Sequence, residues 1–424
     1  MSAVVSFAQP VALRSREPRA RYRIAMVAAC PMPARRGTPL RVERLAQTLW
    51  SRGHHVELVT YHVADDAQAF EFPVHRIFGE PVYWRMPAGP NLRKLVLYDP
   101  ALAWKLWHVL ARGTFDVVHA HHVEGLITAL PSRLRFRVPI VYDAHTMLAS
   151  ELPSYGPKPS RSIVQSLGSW IDGVLPRRSD HVIAVTADIR NRLIKDHRLD
   201  AQRVTVVTNG VEAERFAVDV PQGDGLVRII YSGTLAPYQD VELLLEAFAR
   251  ARRQRDDLRL VFSVSSPFDP CIAQVARLGI RDAVEVVADD FDELPARLAG
   301  AAMAVIPRTR CDGIPQKLLN YMAASKAIIS SAGSAKLIEH ERTGLVIPNG
   351  DVEAFARAIL RLAANPSLAC ELGLAARQHV TANYSWEQAA ERIEGVYDTV
   401  TAARGHSALG SQPPESVAPA DSSR

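Results

Sequence analysis

Cysteine is scarce in this 424-residue chain. Its four copies, Cys30, Cys271, Cys311 and Cys370, form no CxxC pair and show no zinc-ligand spacing. That excludes a disulfide scaffold and a zinc ribbon, and predicts reduced thiols in a cytoplasmic setting. No apolar run approaches the roughly 18 to 20 residues of a transmembrane helix, and Ala3 to Leu13 is too short and too early relative to its arginines for a signal peptide. Any membrane contact is therefore expected to be peripheral. Excess basic charge is also missing from most of the chain. Of the net +5, residues 1–36 hold seven arginines against Glu17 alone, so the remainder is close to neutral and no nucleic-acid partner is expected.

What is present is the balance of a globular protein: 48% apolar and 22% charged residues, with mean hydropathy near zero. The length suits two domains. From Arg23 onward strand and helix patterns alternate. Ile24–Ala29 is a short apolar run, and Val42, Leu45, Ala46, Leu49 and Trp50 follow at the spacing of one helical face. Further strands are predicted at Val56–Tyr61, Val117–Ala120, Ile140–Tyr142, His181–Val185 and Val204–Thr208. A second set runs through Val227–Tyr231, Leu258–Phe262, Ala302–Ile306, Ala327–Ser330 and Leu345–Ile347. This is the pattern of two doubly wound α/β domains with parallel sheets, whose ligands bind beyond the carboxyl ends of the strands. The aperiodic stretch Glu212–Gly225 marks the junction. The expected division is a mobile tail over 1–21, a first domain over 22–215, a linker over 216–226, a second domain over 227–385, a helix over 386–404 and a second mobile tail over 405–424.

The loops after strands hold the candidate chemistry. Cys30 to Pro39 carries Arg35, Arg36, Gly37 and Thr38 before a helix, which suits a phosphate but equally a solvated turn, and is not the GxGxxG fingerprint of NAD sites. His119, His121 and His122 end one strand, and Asp143 and His145 end another. Zinc is disfavoured there because HxHH has no established ligand spacing, whereas His145 is placed to meet a substrate. Tyr231-Ser-Gly-Thr runs into a glycine turn at Gly233, and Asp312-Gly-Ile-Pro-Gln-Lys-Leu-Leu-Asn320 leads from a loop into a helix beginning near Pro315.

In this order the segments resemble the family 4 retaining glycosyltransferases of the GT-B fold, from about Arg23 to about Ala403. Phe115-Asp-Val-Val-His-Ala-His121 is similar to that family's "DVIHAH" strand, Val141-Tyr-Asp-Ala-His145 to its donor-contacting histidine segment, and Val207-Thr-Asn-Gly-Val211 with Phe216 to "PNGVD...F". Tyr231-Ser-Gly-Thr-Leu with Val241 to Phe248 resembles "YVGRL...KGVDLLLEAF", and Leu319 to Ala324, Thr343 to Val346 and Asn349 to Asp351 resemble "LEAMAAG", "TGLLV" and "PGD". Two departures stand out. The family's Arg/Lys pair that neutralises the donor diphosphate falls on Thr234 and Gln239, and its E-x7-E glutamates fall on Asp312 and Asn320. These changes resemble those of a bacterial subset of the family.

The resemblance implies two Rossmann-like domains facing a cleft, with the 386–404 helix returning to the first domain. It implies transfer of a sugar from a nucleotide diphosphate sugar to a hydroxyl acceptor with retention, in cell-envelope polysaccharide or glycolipid synthesis, with no cofactor and no metal. His145 and Asp312 are the catalytic candidates. Gly37, Thr38, Gly233, Thr234, Gln239, Gly313, Ile314, Pro315, Lys317 and Asn320 are the donor-binding candidates, and the diphosphate charge would be met by Arg35, Arg36, Arg308, Arg310 or Lys317. The acceptor, lipid-linked or polysaccharide, would enter from the first domain near Pro81–Pro100 and Met147–Pro159. A catalytically inactive sugar-nucleotide-binding protein and a GT-B epimerase are the alternatives.

Overall fold

The computed structural model describes residues 21–32, 37–61, 70–77, 94–152, 161–219, 224–264, 266–311 and 313–409. Two fully parallel sheets form its frame. The first contains β1 (Arg23–Pro31), β2 (His55–Tyr61), β3 (Val74–Arg76), β4 (Val117–His121), β5 (Ile140–Ala144), β6 (His181–Ala184) and β7 (Val204–Val206), in the order β3-β2-β1-β4-β5-β6-β7. The second contains β8 (Val227–Gly233), β9 (Leu258–Val264), β10 (Val284–Ala288), β11 (Met303–Ile306), β12 (Ala327–Ser331) and β13 (Leu345–Ile347), in the order β10-β9-β8-β11-β12-β13.

Both orders reverse beside their first strand, between β1 and β4 and between β8 and β11. Such a switch point opens a crevice at the strands' carboxyl ends, because the connections there diverge to opposite faces. The loops after β1, β4, β8 and β11 are therefore where the fold makes room for a ligand.

Side-chain alternation builds a layer on each face of the first sheet. Along β1, Ala25 and Val27 join one buried cluster with Leu102, Leu106 and Leu126, while Ile24, Met26 and Ala28 join another with Val42, Leu45 and Leu49 of the first helix, Gly37–Ser51. That second cluster is completed from the far end of the chain. Trp386, Ala389, Ala390, Ile393, Val396, Tyr397 and Val400 of the helix Trp386–Leu409 pack into it, so the C-terminal helix lies on the first domain.

Every strand expected from the sequence is found, and two more appear. β3 and β10 sit at the sheet edges with half-exposed residues, so neither carries the continuous apolar run that marks the central strands. Two boundaries differ. Val211, Ala213 and Phe216 are buried against the helices of the second domain, which draws that domain's start ahead of residue 216. The last helix continues to Leu409, five residues past its expected end. Of the expected tails, residues 1–20 and 410–424 lie outside the described residues.

Candidate active site

On the first-domain side the carboxyl ends of β4 and β5 bring a buried polar cluster together. Asp143 is wholly buried and receives two hydrogen bonds from Arg41, from Nε at 2.9 Å and from Nη2 at 3.2 Å. Burial would raise the Asp143 pKa, but the guanidinium opposite holds it well below the usual carboxylate range. His145 Nε2 lies 3.8 Å from Asp143 Oδ1 and 3.3 Å from His121 Nδ1. Burial, with repulsion from Arg41, drives the His145 pKa well down, and burial with the neighbouring His119 lowers His121 to about 4. Both rings are therefore neutral at ordinary pH.

His122, the next residue, behaves oppositely. Its φ of 63° is left-handed, a strained conformation for a side-chain-bearing residue. Its ring bonds Glu124 through Nδ1 and reaches Thr146 Oγ1 at 3.2 Å and Glu151 Oε2 at 3.3 Å through Nε2. Burial works against its charge, yet the Glu124 and Glu151 carboxylates lift its pKa well above 6.5 and keep it an imidazolium.

On the second-domain side β8 ends at Gly233, whose φ of +116° requires glycine, and an added Cβ there would lie 3.1 Å from Lys317 Nζ. Lys317 projects from the helix Gln316–Ala323. Its ammonium sits 4.0 Å from the centroid of the Tyr231 ring and donates to Gln239 Oε1 at 3.3 Å. Burial and repulsion from Arg308 lower its pKa to about 7. Asp240, at φ 53°, accepts from Thr309 N at 2.7 Å and Thr309 Oγ1 at 2.6 Å, which joins the loop after β8 to the loop after β11. Thr234 Oγ1 is buried with no hydrogen-bond partner among the described residues.

The two sides meet. A Cβ placed on Gly313 would stand 3.9 Å from the His145 carbonyl oxygen, and Gln316 Nε2 donates to Gly210 O at 3.2 Å.

Residues 36–215 match the model of Glycosyltransferase Family 4, and residues 227–365 that of Glycosyl transferases group 1. Between them the two models cover most of both domains. The chain belongs to family 4 of the GT-B glycosyltransferases. It is 26% identical over 313 residues to a D-inositol 3-phosphate glycosyltransferase of Streptomyces scabiei, spanning 67% of this chain and 68% of that one. Among solved structures, a sucrose-phosphate synthase from Thermosynechococcus elongatus superposes with a TM-score of 0.73 at 19% identity, over 90% of this chain and all of that one. The Anabaena protein HepE, in complex with UDP and glucose, gives 0.70 at 16% identity, over 89% and 100%. At these identities the structural likeness establishes the GT-B fold.

For a glycosyltransferase of this family, the expected site residues fall into four groups. His145, Gly233, Thr234, Gln239, Gly313, Ile314, Pro315, Lys317 and Asn320 lie on the strand ends, loops and helix just described, with Gln239, Ile314 and Asn320 buried. Gly37 and Thr38 open the first helix after β1. Arg35, Arg36 and Asp312 lie outside the described residues. Arg308 has its guanidinium 4.8 Å from the Tyr238 ring centroid and donates to Arg310 O at 2.6 Å.

Three participants were missed from the sequence: Arg41, Tyr231 as the platform beneath Lys317, and Tyr397. Arg41 occupies an ordinary interior position of a helix. Only its place one turn behind a strand-end loop could have raised it, and that is a weak signal.

His119, His121 and Asp143 bring ligand-capable atoms within 4.8 Å of one another, closer than the HxHH spacing suggested. Their donor set fits a divalent ion poorly, because both Asp143 oxygens are already hydrogen-bonded to a guanidinium whose charge would repel it.

Proposed function

We propose that this glycosyltransferase moves a sugar from a nucleoside diphosphate sugar to a hydroxyl acceptor, with retention and without a metal ion. The observation that carries this is the meeting of the domains at the cleft, where the Gly313 loop comes against the His145 carbonyl and the helix that follows it presents Lys317 to Gln239. A departing diphosphate needs positive charge or aligned donors where the glycosidic bond breaks. Thr234 and Gln239 cannot supply that charge from the positions where the family carries Arg and Lys. Lys317 comes from the facing helix to hydrogen-bond Gln239 and supplies a cation there. The unpartnered Thr234 hydroxyl adds a donor beside it.

Asp143 is engaged by Arg41 and offers no free nucleophile, which favours a front-face displacement. In that step the bond from the anomeric carbon to the phosphate oxygen breaks and the acceptor oxygen bonds from the same face. The acceptor proton passes to the departing phosphate. Binding of UDP and glucose by HepE supports a nucleotide-sugar donor.

The acceptor reading is a lipid-linked or envelope-polysaccharide hydroxyl at a membrane surface. The π-helical turn Lys94–Tyr98 leaves Leu95, Val96 and Leu97 exposed next to Trp104, and the helix Arg161–Val174 exposes Ile163, Leu167 and Trp170. Trp107, by contrast, is half-buried and packs edge-on against Phe136. No helix among the described residues is long and apolar enough to cross a membrane.

The deciding experiment is a donor panel of UDP, GDP and ADP sugars, read by thermal shift and by time-dependent release of nucleoside diphosphate. A ligand at 100 times its Kd stabilises by about 2.7 kcal/mol, so the donor identifies itself. Tight binding with no release over long incubation would instead make the protein a sugar-nucleotide binder.

A further inference from the structure

The chain passes between the domains twice, and both passages end in buried polar contacts on the cluster beneath His145. In the outgoing passage, Asn209 Oδ1 accepts from Arg41 Nη1 at 2.9 Å and Val207 O accepts from Arg41 Nη2 at 3.0 Å. The same guanidinium grips Asp143. One residue on, Gly210 O accepts from Gln316 of the second domain, and a Cβ at Gly210 would sit 2.5 Å from Trp386 N, where the returning helix begins. Outgoing and returning strands of chain are thus locked together at one point, which Val211 N to Tyr384 O, 2.8 Å, reinforces.

In the returning passage, the buried Tyr397 hydroxyl lies 2.7 Å from His119 Nδ1. Burial and the nearby Asp143 and Glu394 charges push that phenol's pKa well up, so it stays protonated and has a proton to offer His119 Nδ1. The other ring nitrogen of His119, Nε2, faces Asp143 Oδ2 at 3.5 Å, so a proton held there points at the carboxylate. Its ring stacks on His121 at 4.3 Å and 11°. His121 Nδ1 faces both Asp143 Oδ2, at 3.4 Å, and His145 Nε2, at 3.3 Å. A carboxylate that close favours a proton on His121 Nδ1, which leaves His145 Nε2 an acceptor and places the His145 proton on Nδ1.

This arrangement is costly for a purely structural one. His119 Nε2, whose 3.5 Å approach to Asp143 Oδ2 falls short of a hydrogen bond, and His121 Nε2 are both buried without a hydrogen-bond partner among the described residues, at positions on β4 where aliphatic side chains would leave no polar atom unsatisfied. We propose that Tyr397 and Asp143 are positioning residues that fix the orientation and tautomer of His145, and that through them both interdomain passages act on the cleft histidine. The effect on turnover rests on the transferase reading above; the effect on the ring does not.

The test uses the full chain with ¹⁵N-labelled histidine, the His145 signals being assigned by their loss in His145→Gln. Tyr397→Phe keeps the buried ring and deletes only the hydroxyl. It is expected to retain a cooperative melt, to move or broaden the His145 ring-nitrogen signals away from a single Nδ1–H tautomer, and to lower kcat about tenfold with donor KM within twofold. Asn209→Ala tests the outgoing passage in the same way, leaves the Arg41–Asp143 pair in place, and decides the matter if Tyr397→Phe does not fold. Ring-nitrogen signals of His145 unchanged from wild type in the folded variants would overturn the proposal. Absence of turnover in the wild type would instead remove the transferase reading, while the ring-nitrogen comparison would still decide this one.

Discussion

Lys317 and Tyr231 are stacked, with the ammonium 4.0 Å from the ring centroid, on the lip of the cleft where β8 ends at Gly233. Asp289 attracts that cation from a distance, but no carboxylate among the described residues pairs with it, so its charge stays available to an anionic ligand.

Replacing Lys317 with Met should therefore lower kcat/KM for the donor about 10²-fold while the protein still melts cooperatively, the loss expected on removing one transition-state donor. Steady-state kinetics with the donor found in the panel measures it. A change of less than threefold would show that the diphosphate charge is met elsewhere.

The same lysine sets a pH dependence. Its pKa in the folded protein is about 7, so kcat/KM, which reports the free enzyme, should fall as pH rises through 7, and Lys317→Met should lack that limb. Stability moves the other way. Between pH 7 and the ordinary lysine range the unfolded chain binds the extra proton, so unfolding free energy rises with pH, and the variant should show a flatter rise. Urea titrations from pH 6 to 9 give the second curve. His145 should add no limb near 6.5, because its pKa is depressed far below that.

His145→Ala should reduce kcat about 100-fold with a modest loss of stability. Unchanged turnover in a folded variant would remove His145 from the site.

Arg41→Met strands the buried Asp143 carboxylate and should destabilise by about 3–5 kcal/mol, whereas Arg41→Met with Asp143→Leu should recover much of that. Chemical denaturation compares the two. Turnover is expected to stay low in the double variant, since the group that holds His145 is gone. Incubation with EDTA should leave wild-type activity intact; loss restored by Mg²⁺ or Mn²⁺ would overturn the metal-free reading.

Liposomes test the surface of Leu95, Val96, Leu97 and Trp104. Cosedimentation with anionic vesicles at low salt, weakened at high salt and in Trp104→Ser, is expected, because nearby Lys94 and Lys105 each contribute about 1 kcal/mol at such a surface. No binding at low salt would end the peripheral-membrane reading and leave the transferase assignment standing.

The fold was legible where burial on both faces writes long apolar runs. β1, β4, β5, β8 and β12 could be placed to within two residues or so, and the turn glycine at Gly233 marked where β8 ends. The same logic hid β3 and β10, whose outer edges face solvent. In the site, strand-end position pointed to His145, but its partners come from distant segments. Arg41 and Tyr397 look like ordinary helix residues until the fold brings residue 397 against residue 119. Lys317 was legible as one of several candidate cations for the diphosphate, but its seat over the Tyr231 ring and against Gln239 was not, since that depends on which way one helix faces.

The return of Trp386–Leu409 onto the first sheet has a consequence for synthesis. As the chain leaves the ribosome, residues 23–207 emerge early, yet the face carrying Ile24, Met26 and Val42 stays without its covering helix until the whole second domain has followed. At roughly 5–20 residues per second that interval is on the order of ten to forty seconds. Throughout it the nascent first domain exposes an apolar strip, a target for holding chaperones, and the second domain folds before the first can close.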